Sequence, residues 1–338
     1  MGMLTFPIAS KPEFGLPMKV EEGIFLLKMP IPYALDHINL WLLRDGEGWT
    51  IIDSGFYSEE ATLLWNKVLV DFCHNEPIQK IIITHFHPDH VGMAQWLAHK
   101  TNAPVHMSQI EFLTTQMACQ EYSKQKKARR REYFERFGLA QEDIQQLQDK
   151  VGGYVTGVPE APTSYQRLVD GQSLLINGEQ WHLLQFNGHS PGHICLHNKQ
   201  RDLLVSGDQI LPNISPNVSV NFYESDADPL ADYLSSLGTL ATLGADTVVL
   251  PSHGRIFKGI KERATMLKEG HRKSLDQILA FCQQARSGLE VLHTLYGKRL
   301  SLFNLSLATG EAMAHLNYLI GTGEVTRSGD LVYQYKTN

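Results

Sequence analysis

Short apolar runs rich in β-branched and aromatic residues predict strands at Gly23–Met29, Ile38–Arg44 and Trp49–Ile52. Asp45-Gly46-Glu47-Gly48 turns the second into the third as an antiparallel hairpin. Ser58 to Cys73 then carries Leu63, Leu64, Val68 and Phe72 at helical spacing, with Ser58 as its cap. Ile81-Ile82-Ile83 reads as a buried strand, Val91–Lys100 as a helix and Pro104–Met107 as another strand, an α/β alternation. From about 108 to 165 the pattern becomes polar with helical spacing, over Ile110–Phe137 and Gln141–Lys150, until Gly152-Gly153, Pro159 and Pro162 break it. Strands return at Leu168–Ile176 and Glu179–Asn187 around an Asn177-Gly178 turn, then at Arg201–Ser206 and Thr247–Leu250. The remainder predicts a long helix from Ile260 with Leu267, His271, Leu275, Ile278 and Leu279 on one side. A short helix over Glu290–Leu295, another over Leu305–Ile320 and a terminal hairpin pairing 324–326 with 331–333 follow.

Composition narrows this picture without changing it. A chain of 338 residues, 43% hydrophobic and 20% charged, accommodates one large domain and a small one. The formal net charge of -6 gives no global pull towards nucleic acid or an anionic membrane. Cys73, Cys119, Cys195 and Cys282 are scattered with no Cys-x-x-Cys pair, which disfavours both a disulfide framework and a thiolate metal site. Pro7, Pro12 and Pro17 interrupt the first twenty residues and no apolar run reaches the roughly 20 residues of a membrane span, so the expectation is a soluble, cytoplasmic chain. The one strongly basic run, Lys124–Arg131, would spread its charges around a helix and is followed by Glu132 and Glu135, which favours a solvated face over a polyanion site.

The chemistry concentrates after the Ile81–Ile83 strand, where His85, His87, Asp89 and His90 fill four of six positions. Imidazoles and a carboxylate at that density are the ligands that Zn²⁺, Fe and Mn accept, and Pro88 holds His87 extended, so the segment reads as a loop with its side chains fanned out. Asp53, at the end of an early strand, is either a turn former or an acceptor that orients a histidine. His189 and His193 stand four apart, but Pro191-Gly192 rules against a helix, so only one of them need face the cluster. Asp208 and His253 also follow predicted strands beside Gly or Pro, positions that singly suit turn residues.

His85-Phe86-His87-Pro88-Asp89-His90 is the His-x-His-x-Asp-His signature of the metallo-β-lactamase-fold hydrolases, and residues from about 20 to 260 resemble that superfamily. The resemblance implies an α/β fold, an αββα sandwich over residues 1–260 with a helical insert at about 108–165 that shapes the substrate pocket. It implies one divalent ion in His85, His87 and His189, a second in Asp89, His90 and His253, and Asp208 between them. Zn²⁺ is the default, and Fe or Mn suit the same ligands. Asp89 would combine ligation with orienting the attacking hydroxide, Asp53 would hold a ligand imidazole, and His193 would be a local structural residue. Residues 261–338 form a winged-helix-like unit, similar to that of the β-lactamase-like protein 2 subgroup, which includes hydrolases and an RNA-cleaving member. Ten Lys and Arg against seven Asp and Glu there are too mild an excess to argue for DNA, which favours docking on the catalytic domain or a homo-oligomer contact over nucleic acid. The expected activity is hydrolysis of a small ester, thioester or lactone, with Tyr57 and Tyr223 as pocket donors. The alternatives are a metal-dependent endoribonuclease and a non-catalytic metal-binding regulator.

Overall fold

The computed structural model describes residues 3–9, 12–33, 35–121, 123–149 and 153–338. Seven strands, β1 (Met18–Glu21), β2 (Ile24–Pro30), β3 (His37–Asp45), β4 (Gly48–Ile52), β5 (Ile78–Ile82), β6 (Val105–Ser108) and β7 (Gln166–Leu168), lie side by side in chain order. Pairing is antiparallel from β1 to β4 and parallel from β4 to β7. A second sheet holds β8 (Ser173–Ile176), β9 (Glu179–Phe186), β10 (His193–Asn198), β11 (Leu203–Gly207) and β12 (Val248–Pro251), antiparallel except for the β11–β12 pair.

Residues alternate across each strand, and the alternation decides which layer they fill. Ile24 and Leu26 of β2 and Trp41 and Leu43 of β3 meet Trp181, Leu183, Ile194, Leu196, Leu203 and Val205 of the second sheet in the buried space between the sheets. Their neighbours Leu27, Met29, Leu40 and Leu42 face the other way, towards α1 (Glu59–Lys67) and, beyond the short α2 (Pro88–Val91), α3 (Ala94–Thr101). The insert contributes α4 (Gln109–Cys119), α5 (Lys124–Phe137), α6 (Gln141–Asp149) and α7 (Gly153–Gly157). Covering the outer face of the second sheet are α8 (Pro229–Leu240) and α9 (Ile260–Phe281), followed by α10 (Gly288–Tyr296) and α11 (Leu302–Gly321). This is the expected αββα sandwich. The last residues add β13 (Arg286–Ser287), β14 (Val325–Ser328) and β15 (Gln334–Thr337), paired in the order β13-β15-β14.

Several local expectations change. The Leu168–Ile176 run splits into β7 and β8, which belong to different sheets, because the chain turns at Gly171 with φ of +75°. Ile110–Phe137 is two helices, since Ser123 caps α5 by accepting from the Lys126 N–H. Lys150 and Gly152 lie outside the described residues. The 85–90 segment is only partly a loop: His87 is extended, with φ of -60° and ψ of 146°, and Pro88 opens α2 at its first turn. The second strand of the terminal hairpin is Gln334–Thr337, with Leu331 left in solvent, and neither β10 nor α8 was read from the pattern.

The basic run sits on α5 as a paired and solvated face. Arg129 lies near Glu132, Arg131 near Glu135, and Arg130 donates to the Leu147 carbonyl on α6. Phe134, Phe137, Ile144 and Leu147 of α5 and α6 share one buried cluster with α8, α9, α10 and α11, so half of the insert packs on the C-terminal helices.

Ser58 caps α1 as expected, accepting from the Ala61 N–H, but the helix buries Ala61 and Trp65 while Leu63 is 69% exposed. The hydrogen bond from Trp65 Nε1 to the Ser54 carbonyl fixes that rotation about the helix axis. Trp65→Ala is therefore expected to cost about 3–5 kcal/mol in denaturant unfolding, against less than about 0.5 kcal/mol for Leu63→Ala. Equal losses would show that α1 presents a different face.

Candidate metal centre

Five strand ends converge on one edge of the sandwich, and the topology dictates it. β4 and β5 run parallel, as do β11 and β12, and β9 points the same way as β11 because each is antiparallel to β10. Asp53 follows β4, the 85–90 segment follows β5, His189 follows β9, Asp208 follows β11 and His253 follows β12. Hydrogen bonds from Asn39 N–H to the Ser252 carbonyl and from Ile194 N–H to the Thr84 carbonyl tie the two sheets at this edge. Gly207 takes φ of +50°, and a Cβ there would fall 2.5 Å from the His193 ring.

The predicted side chains fall into two groups. His87 Nδ1 lies 2.8 Å from His85 Nε2 and 3.0 Å from His189 Nε2, which is itself 3.2 Å from His85 Nε2. Nitrogens bound to one tetrahedral Zn²⁺ at about 2.0–2.1 Å stand about 3.3 Å apart, so the spacing matches the edges of such a site. In the second group His253 Nε2 is 3.2 Å and His90 Nε2 is 3.8 Å from Asp89 Oδ2. Asp208 stands between them. Its Oδ1 is 3.5 Å from both His90 and His253, and its Oδ2 is 3.6 Å from His189. The sets His85/His87/His189, His85/His90/Asp208 and Asp89/His90/His253 each have the chemistry and compactness to hold a metal ion.

Two observations test the fit of a cation. His90 Nε2 and Asp208 Oδ1 are buried with no hydrogen-bond partner, a costly arrangement unless a ligand satisfies them. The first group is also held neutral. Burial, with the surrounding imidazoles, keeps His85 well below its ordinary range, pushes His87 down to about 3 and lowers His189. Neutral imidazole is the form that offers a lone pair. In the second group burial again opposes charge, but Asp53, Asp208 and Asp89 together push His90 well above its ordinary value. For Asp208 burial is outweighed by His253 and His90, which hold the carboxyl well below the usual range.

Three of the imidazoles are aimed through their other nitrogen. His90 Nδ1 donates to Asp53 Oδ2 at 2.8 Å, His189 Nδ1 to the Asn217 carbonyl at 2.8 Å, and His253 Nδ1 to the His37 carbonyl at 2.9 Å. Asp53 adopts φ of +62° and also accepts from the Thr84 N–H at 2.8 Å and from the Thr84 hydroxyl, so it ties β4 to the start of the histidine segment. Of the two histidines left open by spacing, His189 enters the first group. His193 instead accepts from the Asp208 N–H at 3.1 Å and stacks on the His85 ring, 4.8 Å between centroids.

Glu111 on α4 went unread in the sequence. Buried, and pushed up to about 7 by that burial, it accepts from the Phe86 N–H, the Ser190 hydroxyl and the Gly192 N–H. It thus latches the 85–87 segment to the 189–192 turn. No motif marks it, because it lies in a polar helix and its donors are mostly backbone. The carbonyls of His37 and Asn217 leave no trace in residue type at all. Of the expected pocket donors, Tyr57 packs beneath α1 and α3, and Tyr223 lies at the surface, 39% exposed.

Comparison with known proteins agrees with this geometry. Residues 34–253 match the model of the metallo-beta-lactamase superfamily, and residues 275–338 match that of a metallo-beta-lactamase-like C-terminal domain. The chain is 24% identical to the probable metallo-hydrolase YqjP of Bacillus subtilis, over 94% of this chain and 98% of that protein. It is 24% identical to the acyl-coenzyme A thioesterase MBLAC2 of Homo sapiens, over 70% of this chain and 80% of that one. The crystal structure of a beta-lactamase domain protein from Burkholderia ambifaria superposes with a TM-score of 0.90 at 35% identity, covering 99% of this chain and 97% of its own. The signature running into α2, the two facing groups and the shared fold lead to one conclusion: the chain belongs to the metallo-beta-lactamase superfamily and is one of its hydrolases.

Proposed function

We propose that the protein hydrolyses a small thioester or ester, with two divalent cations held at the strand-end edge. The observation that carries the reading is the split of Asp208, whose two oxygens face different groups. In this reading His85, His87 and His189 hold one ion, Asp89, His90 and His253 hold the other, and Asp208 serves both. When bound there, such ions would supply a water of near-neutral pKa and a Lewis acid for the carbonyl oxygen. The chain's own residues do the rest. Asp89, in the first turn of α2, offers a carboxylate that burial raises but His90 and His253 hold down at about 2, so it is ionised and able to orient a proton on the nucleophile. Asp53 keeps His90 Nε2 turned into the site through its hydrogen bond to Nδ1. Zn²⁺ suits the five histidines and two carboxylates, as do Fe and Mn.

The thioester assignment draws on the similarity to a protein named as an acyl-coenzyme A thioesterase. The charge distribution also favours a small molecule over RNA, since the α5 basic run is engaged in ion pairs and contacts to carbonyls. We read residues 1–260 as the catalytic domain and 261–338 as winged-helix-like, supported by the order α9-β13-α10-α11-β14-β15. No helix among the described residues is long and apolar enough to cross a membrane.

Metal-replete protein is expected to carry about two transition-metal ions per chain by elemental analysis, and Asp208→Asn to lower kcat by on the order of 100-fold while unfolding normally. Recovery of one ion or fewer, or undiminished turnover in that variant, would remove Asp208 from between two metals. For the substrate, the expected result is hydrolysis of an acyl thioester at a rate that changes little between about 50 and about 200 mM salt. Cleavage of single-stranded RNA that falls steeply over that range and is lost in His87→Ala, with no thioester turnover, would assign a nuclease instead.

A further inference from the structure

The strand-end edge is not built by the sandwich alone. His189 donates through Nδ1 to the carbonyl of Asn217, and Asn217 lies in a segment, 217–220, that packs directly on α11 of the C-terminal helices. The approach is close. A Cβ on Gly310 would come within 2.7 Å of Ser219 Cβ, and the Val220 N–H donates to the Gly310 carbonyl at 3.0 Å. Beside Gly310, the carboxyl group of Glu311 lies against the side chains of Tyr296 and Asn217. The other end of the Asn217 amide is also engaged, its Oδ1 accepting from the Ser219 hydroxyl at 2.5 Å. Asn217 is therefore gripped on both sides, and its carbonyl has one place to be.

We infer that α11 is a positioning element of the metal centre: Glu311 holds Asn217, and Asn217 holds the His189 imidazole with Nε2 directed at His85 and His87. The inference rests on the reading of His189 as a metal ligand. Glu311 touches neither substrate nor metal in this arrangement. It acts by removing freedom from the carbonyl that sets the tautomer and the ring orientation of His189. A ligand ring free to swing about its Cβ–Cγ bond must be ordered when the ion binds, and the affinity falls by that ordering. The consequence is selective. His90 and His253 are oriented instead by Asp53 and the His37 carbonyl.

The test measures Zn²⁺ affinity of the full chain by chelator competition at fixed pH, with unfolding midpoints recorded for every variant. Glu311→Ala is expected to weaken one of two ions by about 10- to 100-fold and leave the other unchanged. Glu311→Gln, which keeps an acceptor for Asn217, should recover most of the loss. Thr309→Ala is the control, since that buried hydroxyl bonds only to the Leu305 carbonyl within α11; it should leave both affinities intact. In a His189→Ala background, Glu311→Ala should add nothing further, because the two residues act through one ring. If Glu311→Ala fails to fold, Asn217→Ala cuts the same link and is expected to give the same selective loss. Unchanged affinities in folded Glu311→Ala or Asn217→Ala, equal weakening of both ions, or the same loss in Thr309→Ala would each overturn the inference while leaving the two-ion reading intact. A wild-type chain that binds no Zn²⁺ would instead overturn the metal reading on which it stands.

Discussion

The constraint on which this structure turns is the burial of charge at the junction of two sheets. Asp53, His85, His90, His189, Asp208 and His253 all come to rest at the strand-end edge with under a tenth of their surface exposed. Ionised groups removed from water cost several kcal/mol each unless they are paired and hydrogen-bonded. The surroundings answer that cost residue by residue. Asp53 spans Thr84 and His90, Glu111 spans the two ligand turns, and the outward-facing nitrogens of His90, His189 and His253 meet a carboxylate or a carbonyl. What remains unsatisfied points inward, at His90 Nε2 and Asp208 Oδ1. Two such atoms, a ring nitrogen and a carboxylate oxygen 3.5 Å apart, are what a cation site requires.

How much of this was legible depends on where each interaction keeps its information. The histidine segment was readable because residue type and spacing carry the chemistry, and the strand ends were readable because β-branched runs stop at Gly, Pro or Asp. The sheet alternation also survives in sequence, as at Ile24, Leu26, Leu27 and Met29, whose facing follows from a period of two. Strand β10 escaped because His193–Asn198 is buried on both faces, so polar residues sit where alternation should show solvent. Leu63 misled because it has the right spacing and the wrong azimuth; Trp65 sets the rotation of α1 through a hydrogen bond to a distant carbonyl. The carbonyls of Asn217 and His37 could not be read at all, since any residue would offer the same atom.

The division of the chain into a sandwich and a C-terminal unit is visible in the sequence pattern, but packing does not respect it. Phe134 and Phe137 of the insert, Leu230 and Leu237 of α8, Leu267 of α9 and Leu316 of α11 belong to one continuous buried cluster. The helical insert expected to shape the pocket is therefore split in its attachments. α4 and α7 reach the metal edge, through Glu111 and through the Tyr154 hydroxyl donating to the Phe86 carbonyl, while α5 and α6 lean on the C-terminal helices. Interiors packed this closely transmit displacement better than they absorb it. The insert thus contacts the strand-end edge through α4 and α7 and the C-terminal helices through α5 and α6.

The electrostatics of the edge then bear on what kind of reaction it suits. Three imidazoles of the first group are held neutral by their burial and by one another, and the carboxylates of Asp89 and Asp208 are held ionised by His90 and His253. Asp53 is spent on His90 and Thr84 and contributes little free charge to the site. Two dications set among two uncompensated carboxylates would leave a net positive volume walled by apolar sheets, where a developing oxyanion is stabilised more strongly than in water. The same excess of positive charge would attract a phosphate, so charge alone does not separate an acyl from a phosphoryl centre. In the proposed reading, reach is what favours a small substrate over a polynucleotide. A polynucleotide needs a track of cations leading to the edge, and on the helix richest in them Arg129 and Arg131 pair with Glu132 and Glu135 while Arg130 donates to the Leu147 carbonyl, so those charges are committed to holding the insert together.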